Sequence, residues 1–191
     1  MRVEAGERRL IIGPNGAGKT TLFNLISGEL RPDRGRIELF GRDITLLPSR
    51  RRPALGLART FQIITLFPRD SLLHNVMLAL LAAQRVRYNP FVPLAGFRGL
   101  RSEASSVLDR VGLGPLAERP LAQTSYGEQR RVELAMALAQ RPKVMLLDEP
   151  FAGLSADERV EIKALLLAIP ADVTIVMIEH DMEVALEFAE R

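Results

Sequence analysis

The apolar positions of this chain change their spacing twice, and the changes divide it into three stretches. Arg9 to Ile12 is a short extended run ending at Gly13, and Lys19 to Ser27 follows as a helix closed by Gly28. Arg36 to Phe40 with Gly41-Arg42-Asp43 predicts a strand and turn, and Leu57 to Gln62 another extended piece. The spacing then becomes helical: from Ser71 to Gln84, apolar residues fall at 72, 73, 76, 77, 80 and 81. Further helices are expected at Ser102 to Val111 and Tyr126 to Gln140, beyond a Pro-, Gly- and Arg-rich stretch at 85–101. After Pro142 the types alternate again, with strands at Val144 to Asp148 and Val173 to Ile178 and helices at Ala156 to Ile169 and from Met182 onward. Continuously apolar strands between helices predict an α/β fold whose mostly parallel sheet is covered on both faces. The expected division is an α/β core at 1–62 and 141–191, with an all-helical insertion at 63–140.

Composition narrows the chemistry. The 191 residues are 47% hydrophobic and contain no cysteine, which removes disulfides, thiol nucleophiles and cysteine zinc sites. The longest unbroken apolar run, Val76 to Ala83, is far below the roughly 20 residues that span a bilayer. The formal charge of +3 rests on arginines at 8–9, 50–52 and 85–101, but aromatics are only 5% and tryptophan is absent. A surface that binds nucleic acid by stacking is therefore not expected.

Gly13-Pro14-Asn15-Gly16-Ala17-Gly18-Lys19-Thr20 fits G-x-x-x-x-G-K-[ST] between a strand and a helix. Its glycines let successive backbone N–H groups surround a phosphate at a helix N-terminus. Lys19 would then reach the β- and γ-phosphates of ATP, and the Thr20 hydroxyl would bind Mg²⁺. Thr21 stands where a dinucleotide fingerprint needs its third glycine. Val144-Met145-Leu146-Leu147-Asp148-Glu149 ends a strand in two carboxylates, Asp148 suited to the Mg²⁺ shell and Glu149 to an attacking water. Gln62 and His180 also end extended segments and are candidates for orienting water and touching the γ-phosphate, whereas His74, within the apolar stripe, reads as structural. Ser125 with Glu128, and Ser155 with Glu158, match the S-x-x-E capping box.

Taken in order, these motifs make the chain resemble the nucleotide-binding subunit of an ABC transporter. The resemblance runs over the whole chain: a phosphate loop at Gly13 to Thr21, a glutamine at Gln62, a signature at Ser125 to Gln129, Asp148-Glu149, a D-loop at Gly153 to Asp157 and a switch histidine at His180. The signature departs from the commonest form, with Tyr126 for glycine and Glu128 in the next variable place. Tyr126-Gly127-Glu128-Gln129-Arg130-Arg131, Ile178-Glu179-His180-Asp181-Met182 and Ala58-Arg59-Thr60-Phe61-Gln62 are most similar to the subfamily that powers bacterial import of branched-chain amino acids.

The resemblance implies an ATPase that uses ATP and Mg²⁺. In it, Glu149 is the general base, His180 a γ-phosphate contact, and Gln62 a water or Mg²⁺ ligand beside Thr20 and Asp148. It further implies that Ser125, Gly127, Glu128 and Gln129 cover the nucleotide held by a second ATP-binding subunit, with Leu154, Ser155 and Asp157 at the interface between the two. Transmembrane permease subunits complete the assembly, contacted around 63–70 and 85–101, so the chain is expected to be peripheral on the cytoplasmic face of the cell membrane without direct contact to nucleic acid. The alternatives are a soluble ABC-type ATPase acting on nucleic acid and a small-molecule phosphotransferase. Such cassettes stack adenine on an aromatic before the phosphate loop, whereas the first aromatic here is Phe23, and the chain stops eleven residues after His180. A cassette shortened at both ends is expected, with weaker nucleotide binding and lower stability than a longer relative.

Overall fold

The computed structural model describes residues 1–60, 67–83 and 97–180. By its internal contacts the chain forms two compact units, one of residues 1–62, 142–152 and 169–191 and the other of residues 63–141 and 153–168. The sequence-based division placed 153–168 with the α/β core, whereas these contacts group that segment with the helices.

The first unit is built on a parallel four-stranded sheet, ordered β1 (Arg8–Ile11), β6 (Thr174–Ile178), β5 (Val144–Asp148), β4 (Leu57–Arg59). Register aligns Leu10 with Met177, Leu146 with Val176, and Arg59 with Leu146. Every residue of β5 and β6 is buried, as the unbroken apolar runs require of strands covered on both sides. On one face Leu57, Val144, Leu146, Val176 and Ile178 pack with Phe23 of helix α1 (Lys19–Ser27). A groove of about 900 Å³ on this face is lined by residues including Val3, Leu22, Ile26, Leu39 and Leu57. The expected strand and turn near residue 40 is a small antiparallel hairpin, β2 (Glu38–Leu39) with β3 (Arg42–Asp43). Phe40 and Gly41 both take positive φ, the geometry of a two-residue turn that matches strand twist.

Arg52, only 2% exposed, pins the C-terminal end of α1. Its guanidinium donates to the carbonyls of Leu25, Ile26 and Leu47, the first two in the last turn of α1, where carbonyls run out of intrahelical partners. Gly28 closes α1 at φ 83°, and a Cβ there would stand 2.5 Å from Arg52 Nε.

The second unit packs α2 (Leu72–Ala83), α3 (Arg98–Arg110) and α4 (Tyr126–Ala139) around Leu72, Val76, Leu80, Leu108, Val132 and Ala135. Helix α3 begins four residues before its expected start. Asn75, fully buried, donates to the carbonyls of Phe67 and Ser71 and accepts the Phe67 N–H, fixing the turn that leads into α2. His74 is half-exposed beside Asp70. Helix α5 (Ala156–Leu167) completes the unit. Among the described residues no helix is long and apolar enough to cross a membrane. The helix expected from Met182 onward lies outside the described residues.

Candidate nucleotide site and signature helix

The loop from Gly13 to Gly18 joins β1 to α1 without a side-chain cap on the helix and without an acid in its first turn. Gly16 (φ 82°) and Gly18 (φ 85°) sit in left-handed backbone with open space where a Cβ would be, so these glycines are required by conformation rather than crowding. Lys19 folds back over the loop and donates to the carbonyls of Gly13 at 2.6 Å and Pro14 at 3.0 Å. The N–H groups of the first turn, together with this ammonium, make an electropositive mouth suited to phosphate.

Asp148, fully buried, ends β5, and Arg59 Nη2 of β4 lies 3.2 Å from its Oδ2. Glu149 follows in left-handed backbone at φ 48°, uncommon for a residue with a side chain and frequent where function over-determines geometry. Its N–H donates to Ile178 O at 3.0 Å, tying the carboxylate pair to the end of β6. That strand end brings His180 Nδ1 to 3.7 Å from Glu149 Oε1, with the imidazole side chain 55% exposed. Between them Glu179, 1% exposed, accepts the N–H of Phe151 and of His180, both at 3.2 Å. Burial pushes its pKa up, against those two hydrogen bonds. Gln62 lies outside the described residues.

In the second unit helix α4 opens with a complete capping box. Ser125 Oγ accepts the Glu128 N–H at 3.1 Å, and Glu128 Oε2 accepts the Ser125 N–H at 2.7 Å. A second carboxylate also sits at this mouth: Glu158 of α5 accepts the Gly127 N–H at 3.1 Å. The same Glu158 closes the capping box of α5 with Ser155, whose backbone bond is the chief reason its pKa is lowered. A Cβ at residue 127 would meet that carboxylate, the flexible end of which would have to shift. Gln129 donates to the carbonyls of Leu121 and Thr124 and so secures the chain leading into α4. Tyr126 lies against Gly153, with the Arg130 guanidinium 5.4 Å from its ring centre. Leu154 is buried, while Ser155 and Asp157 are exposed.

Capping explains Ser125 and Glu128, as their spacing indicated, but the role of Glu158 across two helices had no local signature. Nor did Arg52, which stands in a run of three arginines, or Arg59, which reads as part of the segment Ala58 to Gln62. The only available signal was a lone charge inside the extended run Leu57-Ala58-Arg59.

A glycine loop leading from a parallel strand into an uncapped helix, in a sheet that also carries Asp148-Glu149 at a strand end, defines a P-loop nucleotide-binding ATPase. Residues 1–152 match the ABC transporter family, and the chain belongs to that family as an ATP-binding, ATP-hydrolysing subunit. It is 36% identical over 202 residues to the high-affinity branched-chain amino acid transport ATP-binding protein LivG of Salmonella typhimurium, covering all of this chain and 78% of that protein. With BraF of Pseudomonas aeruginosa, of the same description, identity is 37%, covering all of this chain and 77% of BraF. The sulfate/thiosulfate import ATP-binding protein CysA of Mesorhizobium japonicum is 40% identical across the whole chain, which spans 53% of it. Among solved structures, the ADP conformation of the ATP-binding cassette MJ1267 superposes with a TM-score of 0.85 at 30% identity, covering 97% of this chain and 75% of that one. A dimeric post-hydrolysis state of the cassette MJ0796 with ADP and Pi gives 0.82 at 28% identity, covering 97% and 79%.

Proposed function

We propose that the chain powers an importer of branched-chain or other hydrophobic amino acids, working as a pair of ATP-binding subunits on the cytoplasmic face of transmembrane permease subunits. The observation that carries this reading is the similarity to LivG and BraF across the whole chain and more than three quarters of each relative, whereas CysA is matched over about half its length. The motif Tyr126-Gly127-Glu128-Gln129-Arg130-Arg131 supports the same subfamily.

In this reading the loop Gly13, Pro14, Asn15, Gly16, Ala17 and Gly18 wraps the β-phosphate with backbone N–H groups. Lys19 exchanges the carbonyls of Gly13 and Pro14 for the β- and γ-phosphate oxygens, a charge-assisted contact that favours the exchange. Thr20, Asp148 and Gln62 offer oxygen donors only, and no cluster of three or more His, Cys, Asp or Glu side chains occurs among the described residues. That donor set fits Mg²⁺, which is typically held by one or two carboxylates and the nucleotide's own phosphates. When bound, Mg²⁺ neutralises charge on the β- and γ-phosphates. Thr21 lies beside Thr20 in the first turn of α1.

Glu149 accepts a proton from the attacking water while His180 holds the γ-phosphate oxygens. The products are ADP and phosphate. Ser125, Gly127, Glu128 and Gln129 of one chain close over the nucleotide of the other, and Leu154, Ser155 and Asp157 lie along that interface. Reconstitution with the transmembrane subunits and a solute-binding protein in proteoliposomes tests the substrate. ATP-dependent uptake of leucine, isoleucine or valine is expected; sulfate uptake without amino-acid uptake would overturn the assignment.

A further inference from the structure

The capping boxes, the phosphate loop and the carboxylate pair leave one feature of the first unit unused: a guanidinium placed between α1 and β5. Arg59 ends β4 with its side chain 7% exposed. Nη1 donates to Asn24 Oδ1 at 2.7 Å and to Ser27 Oγ at 2.9 Å, both on α1. Nη2 donates to Asp148 Oδ2 at 3.2 Å. Glu29 Oε2 stands 3.5 Å from Nη1, and the guanidinium carbon is 5.7 Å from the centre of the Phe23 ring. One planar group thus fastens the helix that begins with Lys19 and Thr20 to the carboxylate at the end of β5. A lysine cannot reproduce this, because a single ammonium on a flexible stem lacks the rigid fork that serves partners in different directions.

We infer that Arg59 is a positioning residue for the metal–nucleotide site, holding Asp148 at a fixed setting against α1 before nucleotide arrives. The inference rests on the assignment of Thr20 and Asp148 to Mg²⁺ made above. Groups that orient a metal ligand without touching the metal commonly change affinity about 10–100-fold when removed. Of the groups Arg59 holds, Asp148 is the metal ligand, so the loss of Arg59 is read in metal binding and kcat, whereas nucleotide binding through the phosphate loop in EDTA stays within about twofold.

The test uses the whole chain with Mn²⁺ as the probe, free Mn²⁺ being read by electron paramagnetic resonance in the presence of a non-hydrolysable ATP analogue. Arg59→Met is expected to weaken Mn²⁺ binding about tenfold or more. Arg59→Lys, which keeps the charge, recovers only part of that loss, and Asn24→Ala, which removes one anchor on α1, weakens binding by a smaller factor. If Arg59→Met fails to give a cooperative thermal melt, the lysine and alanine variants decide the question. Unchanged Mn²⁺ affinity in the folded variants would overturn the inference. So would tighter binding, the result expected if the guanidinium merely competed with the metal for Asp148. Wild-type protein that binds the analogue but no Mn²⁺ would overturn the metal assignment and this inference together, whereas equal binding by wild type and variants removes the role of Arg59 alone.

Discussion

Two helices of this protein begin at glycine-bearing, hydroxyl-bearing turns, and they treat their N-termini in opposite ways. Helix α1 has no side-chain cap and no acid in its first turn, and the Lys19 ammonium rests on loop carbonyls. Helix α4 is satisfied by side chains: Ser125 and Glu128 form its capping box, and Glu158 of α5 accepts the Gly127 N–H. Each helix end exposes the same orphan donors and the same partial positive charge. What differs is the supply of local acceptors. An uncapped mouth with a lysine is prepared for a multiply charged anion, whereas a mouth already holding two carboxylates receives another anion only when that anion arrives with its own counter-charges. A nucleotide carried on a second subunit's phosphate loop meets that condition.

The sharpest way to separate the two ends is to stop the chemistry while keeping the grip. Glu149→Gln should lower ATP turnover by about 10²–10⁴-fold, the range for losing a positioned base, with nucleotide affinity nearly unchanged; phosphate release and a fluorescent-nucleotide titration measure the two. Lys19→Ala comes next. Removing a hydrogen-bonded cation costs about 1.5–3 kcal/mol, so nucleotide affinity should fall roughly 10–100-fold in the same titration. A variant at α4 that reduced single-chain affinity as much would erase the distinction between the mouths.

Much of this was legible in the sequence because local rules and tertiary structure agree. The phosphate loop is a matter of glycines at positions of positive φ, the capping boxes are a four-residue pattern, and β5 and β6 are unbroken apolar runs bounded by polar residues. The misses share a cause: each depends on residues distant in sequence. Arg52 is one of three successive arginines, and only its contact with the end of α1, some 26 positions earlier, distinguishes it from Arg50 and Arg51. Glu158 reads as the cap of its own helix and yet also serves Gly127, 31 positions earlier. The earlier start of α3 is similar, since Arg98-Gly99-Leu100 reads as loop until Leu100 is found buried with α2 and α4.

Smaller effects refine the comparison. Gly18→Ala forces a side chain into left-handed backbone at a cost of about 1–2 kcal/mol, which at roughly 2–4 °C per kcal/mol is visible in a thermal melt. Gly127→Ala should cost less, because the obstacle is the far end of the flexible Glu158 side chain. Combined with Glu158→Ala it should be non-additive, the collision having been removed.

The smallest effects are in the pH dependence of the melting temperature. Glu158 is held below its ordinary 4.5, so its contribution is present above that value and fades as pH falls through the lowered folded-state pKa. Glu179 is raised above 4.5 by burial, so its contribution is present below 4.5 and lost as pH rises through the higher folded-state pKa. Glu158→Gln should therefore flatten the acid side of the profile, and Glu179→Gln the side above 4.5. If Glu158→Gln left the acid side unchanged, that carboxylate would not be held as the structure indicates.

The central claim is that the α4 mouth serves a nucleotide held by another copy, and sedimentation of the non-hydrolysing Glu149→Gln protein with Mg²⁺-ATP tests it most directly. Glu149→Gln is expected to sediment as a dimer. Glu149→Gln with Ser125→Arg should remain a monomer while binding ATP with the same affinity. A double variant that dimerises as readily as Glu149→Gln, or that stays monomeric only because it no longer binds ATP, would contradict the account.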